Sequence, residues 1–173
     1  GEKGGDAPWQ GVSVLSSEKT SEWSYVSVLN TAGIKHKGWE LTGGVTFYYS
    51  PASFVHCVFE QSDTEDALNV ISSECTILGC SFTNLSSDAF DGDFTSGRVE
   101  RCSFTRIGND AVDTSGSRIT VRDLKIDGAQ DKGLSAGEDS VMDARRVQIT
   151  NTEIAVASKD DTVLKLRDAE ILN

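Results

Sequence analysis

The chain has 173 residues, 38% of them hydrophobic and 25% charged, enough to build one apolar core and with no need to divide into two domains. A formal net charge of −11 excludes a surface that binds nucleic acid by releasing counterions, and no apolar run is long enough to insert into a membrane. The opening residues, GEKGGDAPWQ, lack an apolar signal core and read as the trimmed start of a mature piece.

Residues 1–43 form an irregular first coil. Trp23, Val26 and Val28 occupy inward positions in register with Phe54, Cys57 and Phe59, but Trp23 and Phe54 are 31 residues apart, and the excess is the segment TAGIKHKGWELTG. Two readings stay open. The segment projects as a loop carrying His36, Lys37 and Trp39, where binding residues gather on a rigid scaffold, or it folds over the N-terminal end with Trp39 capping the core.

Over residues 44–173 the pattern repeats every 22 or 23 residues. One row of apolar positions runs Val45, Leu68, Phe90, Val112, Leu134, Val156, and a second runs Phe54, Ile77, Val99, Val121, Ala144, Leu166. Others are Cys57, Cys80, Cys102, Leu124, Val147, Ala169 and Phe59, Phe82, Phe104, Ile126, Ile149, Ile171. Within each unit apolar and polar residues alternate, and polar corners such as SSD, GND and SGS break the alternation. A unit this short cannot bury its own apolar face, whereas stacked copies make one continuous core. The fold class is therefore all-β: a single-stranded parallel β-helix of about six coils, forming one domain over residues 1–173.

Cys57, Cys80 and Cys102 share one inward row, and Cys75 lies in another beside Ala52, Gly97 and Ile119. Stacked thiols have parallel Cβ vectors, which disfavours the torsion of a disulfide, and there is no CxxC spacing for zinc. They read as a buried ladder of small hydrophobes. The sequon Asn84-Leu85-Ser86 is the one sign of secretion, giving an expected extracellular or cell-surface location. The last core residue is Ile171, so the final coil presents an open sheet edge; the expectation is an end-to-end homodimer or continuation in a longer chain.

The candidate chemistry lies on one outward strip. The residue after each first-row position gives Thr46, Asn69, Asp91, Asp113, Ser135, Ala157; two residues on come Tyr48, Ile71, Asp93, Ser115, Gly137, Lys159. The corner before the strand supplies Asp66, Asp88, Asp110 and Lys132. Asp88, Asp91, Asp93, Asp110 and Asp113 thus fall in a patch on the order of 10 Å across. Such a cluster needs a cation, a shared proton or solvation. These five carboxylates are the candidate calcium ligands, although the stretch from Asp91 is no EF-hand, since Ser96 stands where Gly is required and Cys102 where Glu is required. The plainer reading makes Asp66, Asp88 and Asp110 turn caps that accept backbone N–H groups as Asx-turns.

Several segments resemble pectin-degrading β-helix hydrolases, the polygalacturonase-like branch of the pectate-lyase-like superfamily. Ser87-Asp88-Ala89-Phe90 resembles the family's Asn-Thr-Asp-Gly-Ile stretch, and Gly108-Asn109-Asp110-Ala111-Val112 with Gly116-Ser117 its Gly-Asp-Asp motif and the small residues after it. Asp131-Lys132-Gly133-Leu134-Ser135 stands in the place of Gly-His-Gly-Ile-Ser, and Val156-Ala157-Ser158-Lys159 in that of Arg-Ile-Lys. The resemblance spans about 75 residues and implies a right-handed helix. It also implies that Asp88 and Asp110 keep the water-activating pair, while the general acid is replaced by Asn109, the histidine by Lys132 and the arginine by Ala157. An amide cannot protonate a leaving oxygen, so hydrolysis would require Asp91 or Asp113 to take over as acid.

The candidate catalytic residues are then Asp88, Asp110, Asp113 and Lys132, and the candidate substrate-binding residues are Tyr48, Asn69, Asp91, Asn109, Ser135 and Lys159. The expected function is an extracellular domain that binds a polysaccharide or oligosaccharide, calcium or both, through a degenerate carbohydrate-active site. Two alternatives remain: an active lyase or glycoside hydrolase on uronate-containing glycans, with Lys132 as the lyase base, and a structural repeat of a larger surface protein.

Overall fold

A computed structural model describes residues 8–173, and of Trp39 the backbone only. Among the described residues there is no helix; the chain winds as a parallel β-solenoid of about six turns. Each turn has three faces. Face I consists of Val12–Leu15, Gly43–Tyr48, Asp66–Ile71, Asp88–Asp93, Val112–Ser115, Lys132–Gly137 and Ile154–Ser158, all parallel in one seven-stranded sheet. Faces II and III join into a second sheet, because the strands Arg118–Ala129 and Val141–Thr150 run through the corner between them without a break.

The register matches the sequence rows. Val45 pairs with Leu68, Leu68 with Phe90, Phe90 with Val112, and Val112 with Leu134. In the irregular first coil Trp23 pairs with Phe54 and Val28 with Phe59, as the spacing requires. Phe59, Phe82 and Phe104 stack nearly parallel, at centroid separations of 4.8 and 4.9 Å, so the spacing between coils also sets the spacing of their rings.

Corners are marked by residues in the left-handed region, and these too recur by coil. Between faces II and III they are Tyr25, His56, Gly79, Arg101, Asp123, Arg146 and Asp168; Asn30, Gln61, Asn84, Arg106, Gly128 and Asn151 mark the corner at the end of face III. Asn, Asp and Gly are the residues that adopt this conformation most readily, which accounts for their recurrence. Gly97, at φ 150°, has a further reason: a Cβ there would lie 1.9 Å from the Cys75 carbonyl oxygen.

All four cysteines are free and buried. They do more than fill space: the Cys57 and Cys80 amides each donate to the thiol of the next coil, Cys80 and Cys102, at 3.4 Å. A hydroxyl ladder does the same work at the corner between faces I and II. There the Ser50 amide donates to Ser73 Oγ at 2.8 Å, Thr95 to Ser117 at 2.8 Å and Ser117 to Ser140 at 3.0 Å. Each coil is therefore bonded to the next through the interior as well as through its strands.

The segment after the first coil folds as a hairpin. Ile34–His36 and Trp39–Leu41 pair as an antiparallel hairpin, with Lys37 and Gly38 at positive φ in its turn. His36 and Lys37 are exposed at the tip; capping by the Trp39 side chain lies outside what is described. The hairpin flanks the corners of the following coils, leaving a cleft of about 320 Å³ lined by residues including Lys35, Glu40, Asp63, Glu65, Ser86 and Ser87. At the far end Ile154, Val163, Ile171 and Leu172 are exposed, as an uncovered last coil requires.

Phe82 is fully buried at the centre of the ring stack, between Phe59 and Phe104. Phe82→Ala should lower the unfolding free energy by about 3–5 kcal/mol in urea titration, and Phe82→Leu by distinctly less, because the cavity is smaller.

Candidate functional site

On face I the strands bend at one small residue per coil. Asp88 pairs with Asp66 and Phe90 with Leu68, but Ala89 and Ala67 between them are skipped, and Gly133 and Ala155 are skipped in the same way further on. Ala111 and Val112 are both fully buried in the core, so two consecutive side chains enter it at this bend. A Cβ on Gly133 would lie 2.7 Å from the Ala155 carbonyl oxygen and 3.0 Å from Ile149 Cγ2, so this coil has glycine where the coils on either side have alanine. The bend aligns the corner aspartates with Asp91 and Asp113 closely enough for their charges to act on one another.

The corner aspartates are not local turn caps. Asp88 Oδ1 accepts the amide of Asp110 at 2.8 Å, and Asp110 Oδ1 accepts the amide of Lys132 at 2.9 Å. Each carboxylate thus bonds the equivalent residue one coil further on. Asn109 donates its side-chain amide to Asp88. Lys132 Nζ stands 3.4 Å from Asp110 and makes a closer ion pair with Asp131.

The strip is far less exposed than alternation alone implies. Thr46, Asn69 and Ser135 are buried at outward positions, as are Asp66 and Asp110, while Asp91, Asp93 and Asp113 are half-buried. Asn69 Nδ2 donates to Asp91 Oδ2 at 2.8 Å, and Asp113 Oδ1 accepts the Thr114 amide at 2.8 Å. Two atoms of this row have no hydrogen-bond partner: Asn69 Oδ1 and Ser135 Oγ, in residues 2% and 0% exposed. They flank the Asp91–Asp113 pair, because Asn69 is in register with Asp91 and Ser135 with Asp113.

Burial and mutual repulsion push these carboxyls upward. Burial, then the charges of Asp66, Asp93, Asp113 and Asp88, raise Asp91 to about 9. Burial raises Asp66 to about 7 against a hydrogen bond from Thr42, and raises Asp88 to about 6 against those from Asp110 and Asn109. Asp93 and Asp110 are raised as well, again chiefly by burial. Burial alone would lower Lys132, but its hydrogen bond to Asp131 and the charges of Asp110 and Asp131 hold it above the usual lysine value. These partners favour the protonated ammonium, whereas a proton-abstracting lysine needs the opposite shift.

Aromatic residues border the strip on the side of face II. Tyr48 is 41% exposed and meets Tyr49 edge-on at 4.6 Å, and Phe94, 65% exposed, lies over Gly116. Tyr49 and Phe94 hold the same left-handed corner position two coils apart, roughly 10 Å at strand spacing. The sequence reading found Tyr48 but not Tyr49 or Phe94, because a corner residue follows neither strand alternation nor an apolar row. Lys159 is exposed on the last coil, two coils beyond Asp113. Among the described residues no three His, Cys, Asp or Glu side chains are arranged to hold a metal ion.

No family model matches this chain, and neither a curated protein nor a solved structure matches it.

A carboxyl whose pKa is raised by burial costs the fold stability progressively once pH passes the unfolded value, because the unfolded chain then gives up its proton while the folded one holds it. The contributions of Asp66, Asp88 and Asp91 are full below about pH 4 and are lost as pH rises through about 7, 6 and 9 respectively. The melting temperature should therefore fall from pH 5 to pH 9, by roughly 2–4 °C per kcal/mol lost in a domain of this size. Asp91→Asn should raise it at pH 8 and flatten the profile, read by scanning calorimetry across that range.

Proposed function

We propose that face I is a saccharide-binding surface and the protein an extracellular glycan-binding β-solenoid, built like the pectate-lyase-like superfamily but with a degenerate hydrolytic set. The observation that carries this reading is the pair of buried, partnerless acceptors, Asn69 Oδ1 and Ser135 Oγ, on either side of Asp91 and Asp113. Buried polar atoms are normally satisfied, and a sugar offers several hydroxyls that donate and accept at this spacing. Tyr48, Tyr49 and Phe94 supply apolar ring faces along one border, as sugar rings require.

Binding is favoured over cleavage because the water-activating pair is committed elsewhere. Asp88 and Asp110 each use an oxygen to bond the next coil, and Asp110 is 2% exposed. One observation favours a hydrolase as the second reading: Asp91 keeps its proton at neutral pH, as a general acid must. In that case a reducing-sugar assay on neutral or acidic polysaccharides would show activity abolished by Asp91→Asn.

The decisive variant is Ser135→Ala. Removing a partnerless buried hydroxyl should leave thermal stability unchanged or slightly raised. It should also weaken retention on a glycan array by about tenfold, the equivalent of one good hydrogen bond to a ligand. Retention equal to wild type, or no retention of wild type on any glycan, would sink the proposal.

A further inference from the structure

Resting on the saccharide reading above, we infer that this surface selects by charge: it takes oligosaccharides bearing protonated amines and turns away uronates. The geometry is one-sided. Asp66, Asp88, Asp91, Asp93, Asp110 and Asp113 come from three adjacent coils, in register across face I. The nearest cation, Lys132, is already shared between Asp110 and Asp131. A uronate carboxylate beside Asp91 and Asp113 would meet like charge, with Lys132 already paired and Lys159 two coils beyond Asp113, whereas an ammonium group would find acceptors on Asp91, Asp93 and Asp113. The unpaired Asn69 Oδ1 points the same way, since an amide oxygen can only accept and an ammonium brings three donors.

A second consequence follows from the shared burial of Asp91 with Asn69, Asp66, Asp88, Asp93 and Asp113. The repulsion and burial that keep a proton on Asp91 are relieved when a cation arrives, so binding must release protons. A neutral sugar brings no charge and releases few.

The test is isothermal titration calorimetry of the intact protein at about pH 6, in two buffers of different ionisation enthalpy. The probes are a glucosamine hexamer, its N-acetylated counterpart and a galacturonate hexamer. The amine oligomer should bind at least tenfold more tightly than the acetylated one, lose affinity as salt rises, and release protons; the uronate should give no detectable heat. The double variant Asp91→Asn/Asp113→Asn should bind amine and acetylated oligomers alike. If it fails to fold, Asp93→Asn should narrow the preference in the same direction. Equal or tighter binding of the acetylated or uronate oligomer overturns the charge selectivity and leaves the saccharide reading standing. Tighter binding of calcium alone than of the amine oligomer overturns it in favour of a metal site. No binding by any of the three oligosaccharides removes the saccharide reading and this inference together.

Discussion

In-register stacking of parallel coils is the constraint on which every other feature depends. A coil of 22 or 23 residues returns each side chain to a point about 4.8 Å from its predecessor, so a residue's closest neighbours are copies of its own position. Apolar positions repeat without cost, which is how Phe59, Phe82 and Phe104 come to lie ring on ring. For polar groups the same rule is demanding. Hydroxyls and thiols satisfy it because each can accept an amide of the preceding coil and donate to one of that coil's carbonyls, and Ser117 and Cys80 do both. Carboxylates satisfy it only where the next coil offers an amide, as at Asp88 and Asp110.

Where no amide is offered, repulsion remains. Asp91 and Asp113 sit in register on face I and lack that outlet to the next coil, since Asp113 caps its own neighbour Thr114 and Asp91 leans on Asn69. Structural economy alone would replace such a pair with threonine or serine, as at Thr46 and Ser135 in the same row. A scaffold that keeps the acids holds charge in reserve for something that brings the opposite charge. Face I is thus a side of the solenoid on which polar groups are not fully answered from within.

How much was legible in the sequence divides along the same line. The inward rows, the coil count and the irregular first coil follow from apolar spacing, because burial leaves the same residue type at the same interval. The convergence of Asp88, Asp91, Asp93, Asp110 and Asp113 follows once the register is known. What could not be read was anything set at the bends. The kink at Ala67, Ala89, Ala111 and Gly133 buries an extra methyl wherever the residue is alanine, and it changes what the neighbouring aspartates touch. Burial of Asn69 and Ser135 at outward positions was hidden for the same reason, since strand alternation assigns them to solvent. The hairpin from Ile34 to Leu41 was read as excess length, because its Lys37-Gly38 turn lies in a segment outside any repeat.

The corner between faces II and III carries a further property. Along it the left-handed residues run Arg101, Asp123, Arg146, Asp168, with a two-pronged contact of 2.5 and 2.8 Å between Arg146 and Asp123. Neighbouring coils alternate in sign, so every correct step places a cation beside an anion. Coils this alike invite a folding error in which one is skipped and the next docks in its place. Such a skip would set Arg101 against Arg146 and Asp123 against Asp168, like against like at a bare 4.8 Å. The alternating edge acts as a parity check on the winding, telling odd coils from even ones where the apolar interior cannot.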